Sequence, residues 1–180
     1  MKRFSVRTLA AGGVLIALNV VLSRLVSIPI GNAFRISLGS VPIILSGLWL
    51  GPLAGGICGA AGDLMGCLVA GYAPNPFITA STVLMGVIPG LFREYLTRGT
   101  NRLVLYLRMI LVLALTMLVT SQGLTTLGLS VMYGMEFWPT FIMRLPQSAL
   151  LLLVNASVVS MLQRRVPASV LPELPRRSAV

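Results

Sequence analysis

The chain has 180 residues, of which 56% are hydrophobic and only 10% are charged, and its mean hydropathy is +0.92. This composition excludes a soluble globular domain and predicts one integral membrane domain over residues 1–180. The net charge of +10 comes from 14 basic and 4 acidic residues. Because most of the basic residues cluster between apolar runs, they indicate the lipid membrane, and not a nucleic acid, as their partner.

The apolar runs, taken in chain order, predict six membrane spans. The first, fifth and sixth are long enough to cross a bilayer, and the stretch from Ile36 to Phe92 holds three more. Within that stretch, Gly51-Pro52 and Pro74-Asn75-Pro76 mark tight links, because glycine accepts turn conformations and proline starts helices well. The predicted spans are 8–28, 36–50, 52–70, 76–92, 109–133 and 137–163, followed by a basic tail over 164–180.

The basic residues predict the orientation of these spans. They form three clusters: before the first span, between the fourth and fifth, and after the sixth. The clustered residues are Lys2, Arg3, Arg7, Arg93, Arg98, Arg102, Arg108, Arg164, Arg165, Arg176 and Arg177. Six spans bring all three clusters to one side, which the positive-inside rule identifies as the cytoplasm. The sequence therefore predicts an all-α membrane protein with six transmembrane helices and cytoplasmic N- and C-termini.

Asp63 is the only charged residue between Ile36 and Phe92. A carboxylate at membrane depth is costly unless it is paired or hydrated, so it marks a functional site. The three arginines outside the clusters, Arg24, Arg35 and Arg144, fall in or near the outer half of the predicted bundle. Their excess over one aspartate favours an outward-facing pocket for an anionic ligand. The alternative is a structural Asp63–Arg144 ion pair between the third and sixth helices, which would add little stability.

Two further features have a functional and a plain interpretation. The loop from Ile28 to Gly39 is long for a connector, which favours a lid over the pocket. Gly13 and Ala17 lie four residues apart on the first helix and therefore share one face. Such small residues permit close helix approach, either to a partner protein or within the bundle.

Catalytic and metal-binding motifs are missing from the sequence. The single lysine, Lys2, excludes a Walker A nucleotide site, and the absence of histidine excludes a Ser-His triad or a His-ligated zinc. One intramembrane carboxylate cannot form an aspartyl dyad. We therefore expect no enzyme activity, no cofactor and no metal site.

Several motifs, in their order along the chain, resemble a known family. Arg35 to Pro52 and the segment Gly59-Ala-Ala-Gly-Asp63-Leu-Met-Gly66 resemble the substrate-binding S components of energy-coupling factor (ECF) vitamin transporters. The segment from Leu124 to Gly134, followed by Arg144, is similar to the folate-specific branch. Gly13-Val-Leu-Ile-Ala17 is similar to the docking motif on the first helix. The likeness covers roughly Ala10 to Asn155.

The resemblance implies the membrane-embedded binding subunit of an ABC importer in a bacterial plasma membrane. This subunit captures folate outside and delivers it by toppling onto a transmembrane coupling (T) subunit that carries two ATPase (A) subunits. The implied substrate-binding residues are Asp63, Arg144, Arg35, Gln147 and Arg24, with Asp63 facing the pterin. The alternatives are an S component for riboflavin, pantothenate or a queuosine precursor, or a small structural membrane protein.

Two features depart from the folate-specific pattern. Pro74-Asn75-Pro76 stands where that branch usually has Pro-Gly before the fourth helix. Gly128 stands where that branch is expected to have a tryptophan. The loss of a large aromatic side chain predicts an enlarged pocket.

Overall fold

The computed structural model describes residues 6–25, 28–30, 34–71, 73–97 and 101–165 of a predominantly helical chain. The helices are α1 Val6–Val20, α2 Ser40–Leu50, α3 Pro52–Ala70, α4 Pro76–Leu91, α5 Arg93–Thr97, α6 Arg102–Met117, α7 Thr125–Tyr133 and α8 Phe137–Arg165. A π-helical segment extends α1 over Val21–Leu25, and another joins α6 to α7 over Leu118–Leu124. Strands β1 Ile28–Ile30 and β2 Phe34–Ile36 form an antiparallel ribbon.

Four helical stretches in the described part of the chain are long and apolar enough to cross a membrane. They are Val6–Arg24, Pro52–Ala70, Leu103–Tyr133 and Phe137–Gln163, and the apolar helices α2 and α4 are shorter. With 11 residues, α2 extends roughly 16 Å, about half the thickness of a hydrocarbon core. Nearly all of its residues are buried, so α2 is enclosed by the other helices and not by lipid.

Two helix starts differ from their predicted positions. The second apolar helix begins at Ser40 and not at 36, because the preceding residues pair as strands, with Pro29 opposite Arg35. The predicted loop from Ile28 to Gly39 thus contains the ribbon. The fifth long helix begins at Arg102 and not at 109, because the Asn101 side chain caps it by accepting a hydrogen bond from the Leu103 amide at 3.4 Å.

The two links predicted from glycine and proline are confirmed. Gly51 has a φ of 96° and Pro52 is the first residue of α3. At the other end of α3, Gly71 adopts the left-handed conformation, with a φ of 74°. Pro76 then starts α4 behind an Asn75 cap. These caps fix where α3 begins and ends, and therefore the depth of Asp63 along it.

Helices α2, α3 and α4 meet through their backbones. A Cβ atom built on Gly55 of α3 would lie 2.6 Å from Gly47 Cα of α2 and 2.7 Å from Gly86 O of α4. No side chain fits at this junction, so glycine is what allows the three helices to approach so closely. On the other side of α2, apolar residues of α6 and α8, including Leu113 and Val159, complete the core.

Candidate functional site

Asp63 lies on α3 and is buried, with 8% of its surface exposed. Thr79 on α4 donates a 2.7 Å hydrogen bond from Oγ1 to Asp63 Oδ2. Among the described residues, Asp63 forms no ion pair with Arg144, so the structural clamp proposed as an alternative is not formed. An ionised carboxylate has about four acceptor positions, so Asp63 retains the capacity to accept hydrogen bonds from a ligand.

A groove of about 700 Å³ between α3 and α4 opens beside the Asp63–Thr79 pair. Thr79 is part of its lining, which is otherwise apolar. The remaining lining residues are Leu64, Pro74, Pro76, Ala80, Val83 and Leu84. This groove gives the hydroxyl partner of the carboxylate an opening at the surface of the bundle.

Asn75 connects the start of α4 to α7. Its side-chain oxygen accepts hydrogen bonds from the amides of Phe77 at 2.9 Å and Ile78 at 3.4 Å, while Nδ2 donates to Gly128 O at 3.1 Å. The side chain is only 4% exposed. This link holds α4, which carries Thr79, against α7.

Gly128 does not enlarge a pocket, contrary to the prediction. A Cβ atom built at this position would lie 2.8 Å from Phe77 Cβ and 3.2 Å from Asn75 Oδ1. The absence of a side chain therefore allows α7 to approach the start of α4, and the space that a tryptophan would need is filled by protein.

Arg144 lies on α8 and is half-buried. Two of its guanidinium nitrogens, Nε and Nη1, are buried and have no hydrogen-bond partner. Leaving a buried donor unsatisfied costs about 1–3 kcal/mol, and more for a charged group. Such a group needs an explanation in a folded protein, and a ligand that brings acceptor oxygens would provide one.

Two polar side chains in the same part of the bundle share this property. Gln122, in the second π-helical segment, donates from Nε2 to Ser148 Oγ at 2.5 Å, but its Oε1 is buried without a partner. Thr126, about one turn later, is fully buried and its hydroxyl has no partner either. Ser148 is one turn beyond Arg144 on α8, so the Gln122 segment contacts α8 next to the turn that carries Arg144. π-Helical segments occur frequently at functional sites.

Arg24 lies in the first π-helical segment and packs on α3 close to Asp63. Its Nη2 is 4.0 Å from Cys67 Sγ, and its guanidinium covers Gly66, where a Cβ atom would lie 2.7 Å from Arg24 Nε. Gly66 and Cys67 are one turn beyond Asp63, so the Arg24 guanidinium packs against the turn of α3 next to the one that carries the carboxylate. The structure thus brings these two predicted site residues together.

The other predicted residues are distributed as follows. Gln147 lies on α8, half-buried and three residues after Arg144. Arg35 lies on β2, and its side chain is outside the described residues. Gly13 and Ala17 are both exposed on α1, and a Cβ atom on Gly13 would have nothing within 4 Å. The exposed face leaves room for an approaching helix.

The site therefore consists of two groups of side chains. Asp63 and Thr79 offer a buried acceptor, with Arg24 one turn away, while Arg144 and Gln122 offer donors and an acceptor on the opposite helices. Asn75 joins the two groups, and a 3.0 Å hydrogen bond between Ser81 of α4 and Thr125 of α7 joins them again. The first group therefore presents carboxylate oxygens as hydrogen-bond acceptors, and the second presents the donors of a guanidinium.

Sequence reasoning missed four of these residues: Thr79, Asn75, Gln122 and Thr126. Gln122 and Thr126 did have a signal, because polar residues within an apolar span are expected to face the interior. No pattern in the sequence connects Asp63 with Thr79, since their contact depends on how α3 and α4 pack.

Comparison with known proteins finds a matching family model and related chains. A family model described as "ECF-type riboflavin transporter, S component" matches residues 3–165. The chain is 29% identical over 150 residues to the folate transporter FolT of Clostridium novyi (strain NT), covering 81% of each protein.

Two solved structures share the architecture. The crystal structure of FolT bound with folic acid superposes with a TM-score of 0.74 at 28% identity, covering 91% of this chain and 96% of that one. The S component for biotin from an ECF-type ABC transporter superposes with a TM-score of 0.70 at 19% identity, covering 93% and 96%. At that identity, the second match shows the fold alone.

Proposed function

Because the chain belongs to the family of S components of ECF-type riboflavin transporters, we propose that it is the subunit that captures the substrate, and that the substrate is folate. This family comprises transporter components and not enzymes. The observation that carries the assignment to folate is the combination of a buried carboxylate with acceptor capacity and a half-buried arginine with two unpartnered nitrogens.

The two ends of folate match these two groups. The pterin ring presents adjacent N–H donors, which suit the carboxylate of Asp63 as a two-oxygen acceptor. The glutamate tail carries carboxylates, whose oxygens match the donors of Arg144, with Gln147 as an adjacent polar partner. Arg24 and Arg35 complete the proposed substrate-binding set and supply positive charge for an anionic ligand.

Riboflavin is the second candidate because the family model carries its name. Its isoalloxazine ring presents a single N–H between two carbonyl groups, and it has no carboxylate. A carboxylate facing those carbonyls is repelled, and Arg144 would lose the charged partner that a tail carboxylate provides. The 29% identity to a folate transporter also supports folate.

We further propose a topology of six membrane spans with both termini in the cytoplasm of a bacterial cell. We count both short helices, α2 and α4, as spans. Because protein encloses α2, its length need not match the thickness of the bilayer. The three basic clusters support the orientation. A reporter fused after Arg177 should read cytoplasmic, and a cysteine at the exposed Ala73 should react from outside. Asn75 is less suitable for labelling because it is buried.

Transport requires partner chains, since this chain lacks a nucleotide-binding lysine. We propose a transmembrane coupling subunit with two ATPase subunits, approached by the exposed face of α1 that carries Gly13 and Ala17. Toppling of the loaded subunit in the membrane would then deliver the vitamin to the cytoplasmic side.

The substrate assignment is tested by measuring the melting temperature of the purified protein against folate, riboflavin, biotin and pantothenate. A ligand at 100 times its dissociation constant stabilises the folded state by about 2.7 kcal/mol. We expect folate alone to raise the melting temperature. A shift with riboflavin and none with folate would identify riboflavin as the substrate. No shift with any of these vitamins would contradict the proposal that the protein binds a vitamin.

A further inference from the structure

A second charged cavity lies away from the proposed substrate site. It has a volume of about 840 Å³ and is formed where α4 passes into α5, beside Arg108 of α6 and with Pro52 in its lining. Pro52 is 11 residues before Asp63, which corresponds to roughly 16 Å along α3. The cavity is therefore separate from the Asp63 site and lies at the end of the bundle that holds the Arg93 cluster.

Two arginines line this cavity, and one of them is held in a defined orientation. The Arg108 guanidinium stacks over the Tyr95 ring at 4.6 Å from its centroid, and Nη1 donates to Tyr95 O at 3.4 Å. Arg93 on α5 lines the same cavity. Among the described residues, Glu94 is the only acid in the lining, so their positive charge exceeds their negative charge. A planar guanidinium with five donors matches phosphate oxygens well.

The cavity has an apolar border. Leu91 and Phe92, at the end of α4, both line it and are 65% and 40% exposed. Leu91 ends an apolar helix and Arg93 comes two residues later, so apolar surface gives way to positive charge within three residues. An anionic phospholipid has apolar and charged parts in the same arrangement, with acyl chains next to a phosphate.

We propose that this cavity binds one anionic phospholipid. Arg93 and Arg108 contact the phosphate of the headgroup, and its acyl chains lie along Leu91 and Phe92. Basic pockets between transmembrane helices on the cytoplasmic side bind anionic headgroups in this way. The exposed apolar border favours a lipid over free phosphate, which would gain nothing from Leu91 and Phe92. This binding is independent of the vitamin and of the substrate assignment.

The test is native mass spectrometry of the full chain in detergent, titrated separately with phosphatidylglycerol and with phosphatidylcholine of the same acyl chains. The wild type should retain one phosphatidylglycerol molecule in preference to phosphatidylcholine. Because each arginine near an anionic headgroup contributes about five-fold in affinity, Arg93→Gln should reduce the preference about five-fold and Arg93→Gln with Arg108→Gln should reduce it further. The control is Arg165→Gln, which removes the same charge from an exposed position on α8 outside the cavity.

A milder variant provides a second test that remains informative if the double variant does not fold. Arg108→Lys keeps the charge but removes the planar fork and its stacking on Tyr95, so we expect an intermediate preference with an unchanged melting temperature without lipid. Equal retention of both lipids by the wild type would overturn the proposal, as would equal losses in Arg93→Gln and Arg165→Gln. Displacement of the lipid by millimolar inorganic phosphate alone would also overturn it, since the site would then recognise the free anion.

Discussion

The α2–α4 half of the bundle and the α6–α8 half are built in opposite ways. In the first half, Gly47, Gly55 and Gly86 bring three helix backbones into direct contact, at distances that leave no room for a Cβ atom. In the second half, two long helical stretches meet through side chains, and a π-helical segment interrupts the first of them over Leu118–Leu124.

The two halves also differ in whether their buried polar groups have hydrogen-bond partners. Asp63, in the glycine-packed half, already has a hydrogen-bond partner in Thr79. In the other half, Arg144, Gln122 and Thr126 hold buried polar atoms without partners. The first half therefore presents an acceptor that is already hydrogen-bonded, while the second half holds buried donors and acceptors without partners. This difference predicts that substitutions in the two halves fail in different ways.

The largest expected effect is on folding of the glycine-packed half. Gly55→Leu forces a side chain between Gly47 and Gly86, where backbone atoms cannot yield, and overpacking of this kind costs about 1–3 kcal/mol or more. We expect little folded protein, measured as the monodisperse yield in detergent and the melting temperature. Gly13→Leu is the matched control, because the same substitution there meets nothing within 4 Å. Equal stability of the two variants would contradict the close packing of α2–α4.

Gly13→Leu should instead abolish uptake. The added side chain occupies the exposed face of α1 proposed for docking and leaves the vitamin site untouched. Folate uptake by cells that express the coupling module, compared with folate binding by the purified variant, checks this. A loss of binding as well as uptake would mean that the face packs against the site and not against a partner.

Asn75→Ala should destabilise the connection between the halves. The substitution removes the cap of α4, which costs about 1–2 kcal/mol, and leaves Gly128 O without its donor. The measurement is thermal or denaturant unfolding of the purified protein. Asn101→Ala is a suitable comparison, because Asn101 caps α6 at an exposed position and receives only a 3.4 Å hydrogen bond. If Asn75→Ala loses no more unfolding free energy than Asn101→Ala, then Asn75 does not stabilise the contact between the two halves.

The smallest expected effect concerns Thr126. Thr126→Val replaces a buried, unpartnered hydroxyl by a methyl group of the same shape, so the unliganded protein should be as stable as the wild type or slightly more so. Folate affinity should fall by about 1 kcal/mol if the hydroxyl binds the ligand. The control is Thr116→Val: Thr116 is equally buried, but its hydroxyl donates to Val112 O at 2.7 Å. That variant should lose stability and keep its affinity. The reverse pattern would place the ligand elsewhere.

Much of the fold followed from the sequence because apolar runs and Gly-Pro links have direct physical meaning. Gly51-Pro52 located the start of α3. Asp63 was recognised as a candidate site residue because it is the only charged residue in a long apolar stretch. The ribbon around Pro29 did not follow, because its two strands of three residues are too short to show a pattern. The role of Gly128 was misjudged, since its neighbours, Phe77 and Asn75, come from a distant helix and are known only once the helices are packed.

The central claim is that Asp63 and Arg144 bind opposite ends of one folate molecule. Calorimetric titration of folate into the wild type, Asp63→Asn, Arg144→Ala and the double variant tests it directly. Each single variant should lose about 2 kcal/mol or more of binding free energy, because a charge-assisted partner is removed from a buried site. Since the structure shows no ion pair between the two residues, the losses should add in the double variant. Wild-type affinity in both single variants, with unchanged melting temperatures, would contradict the claim.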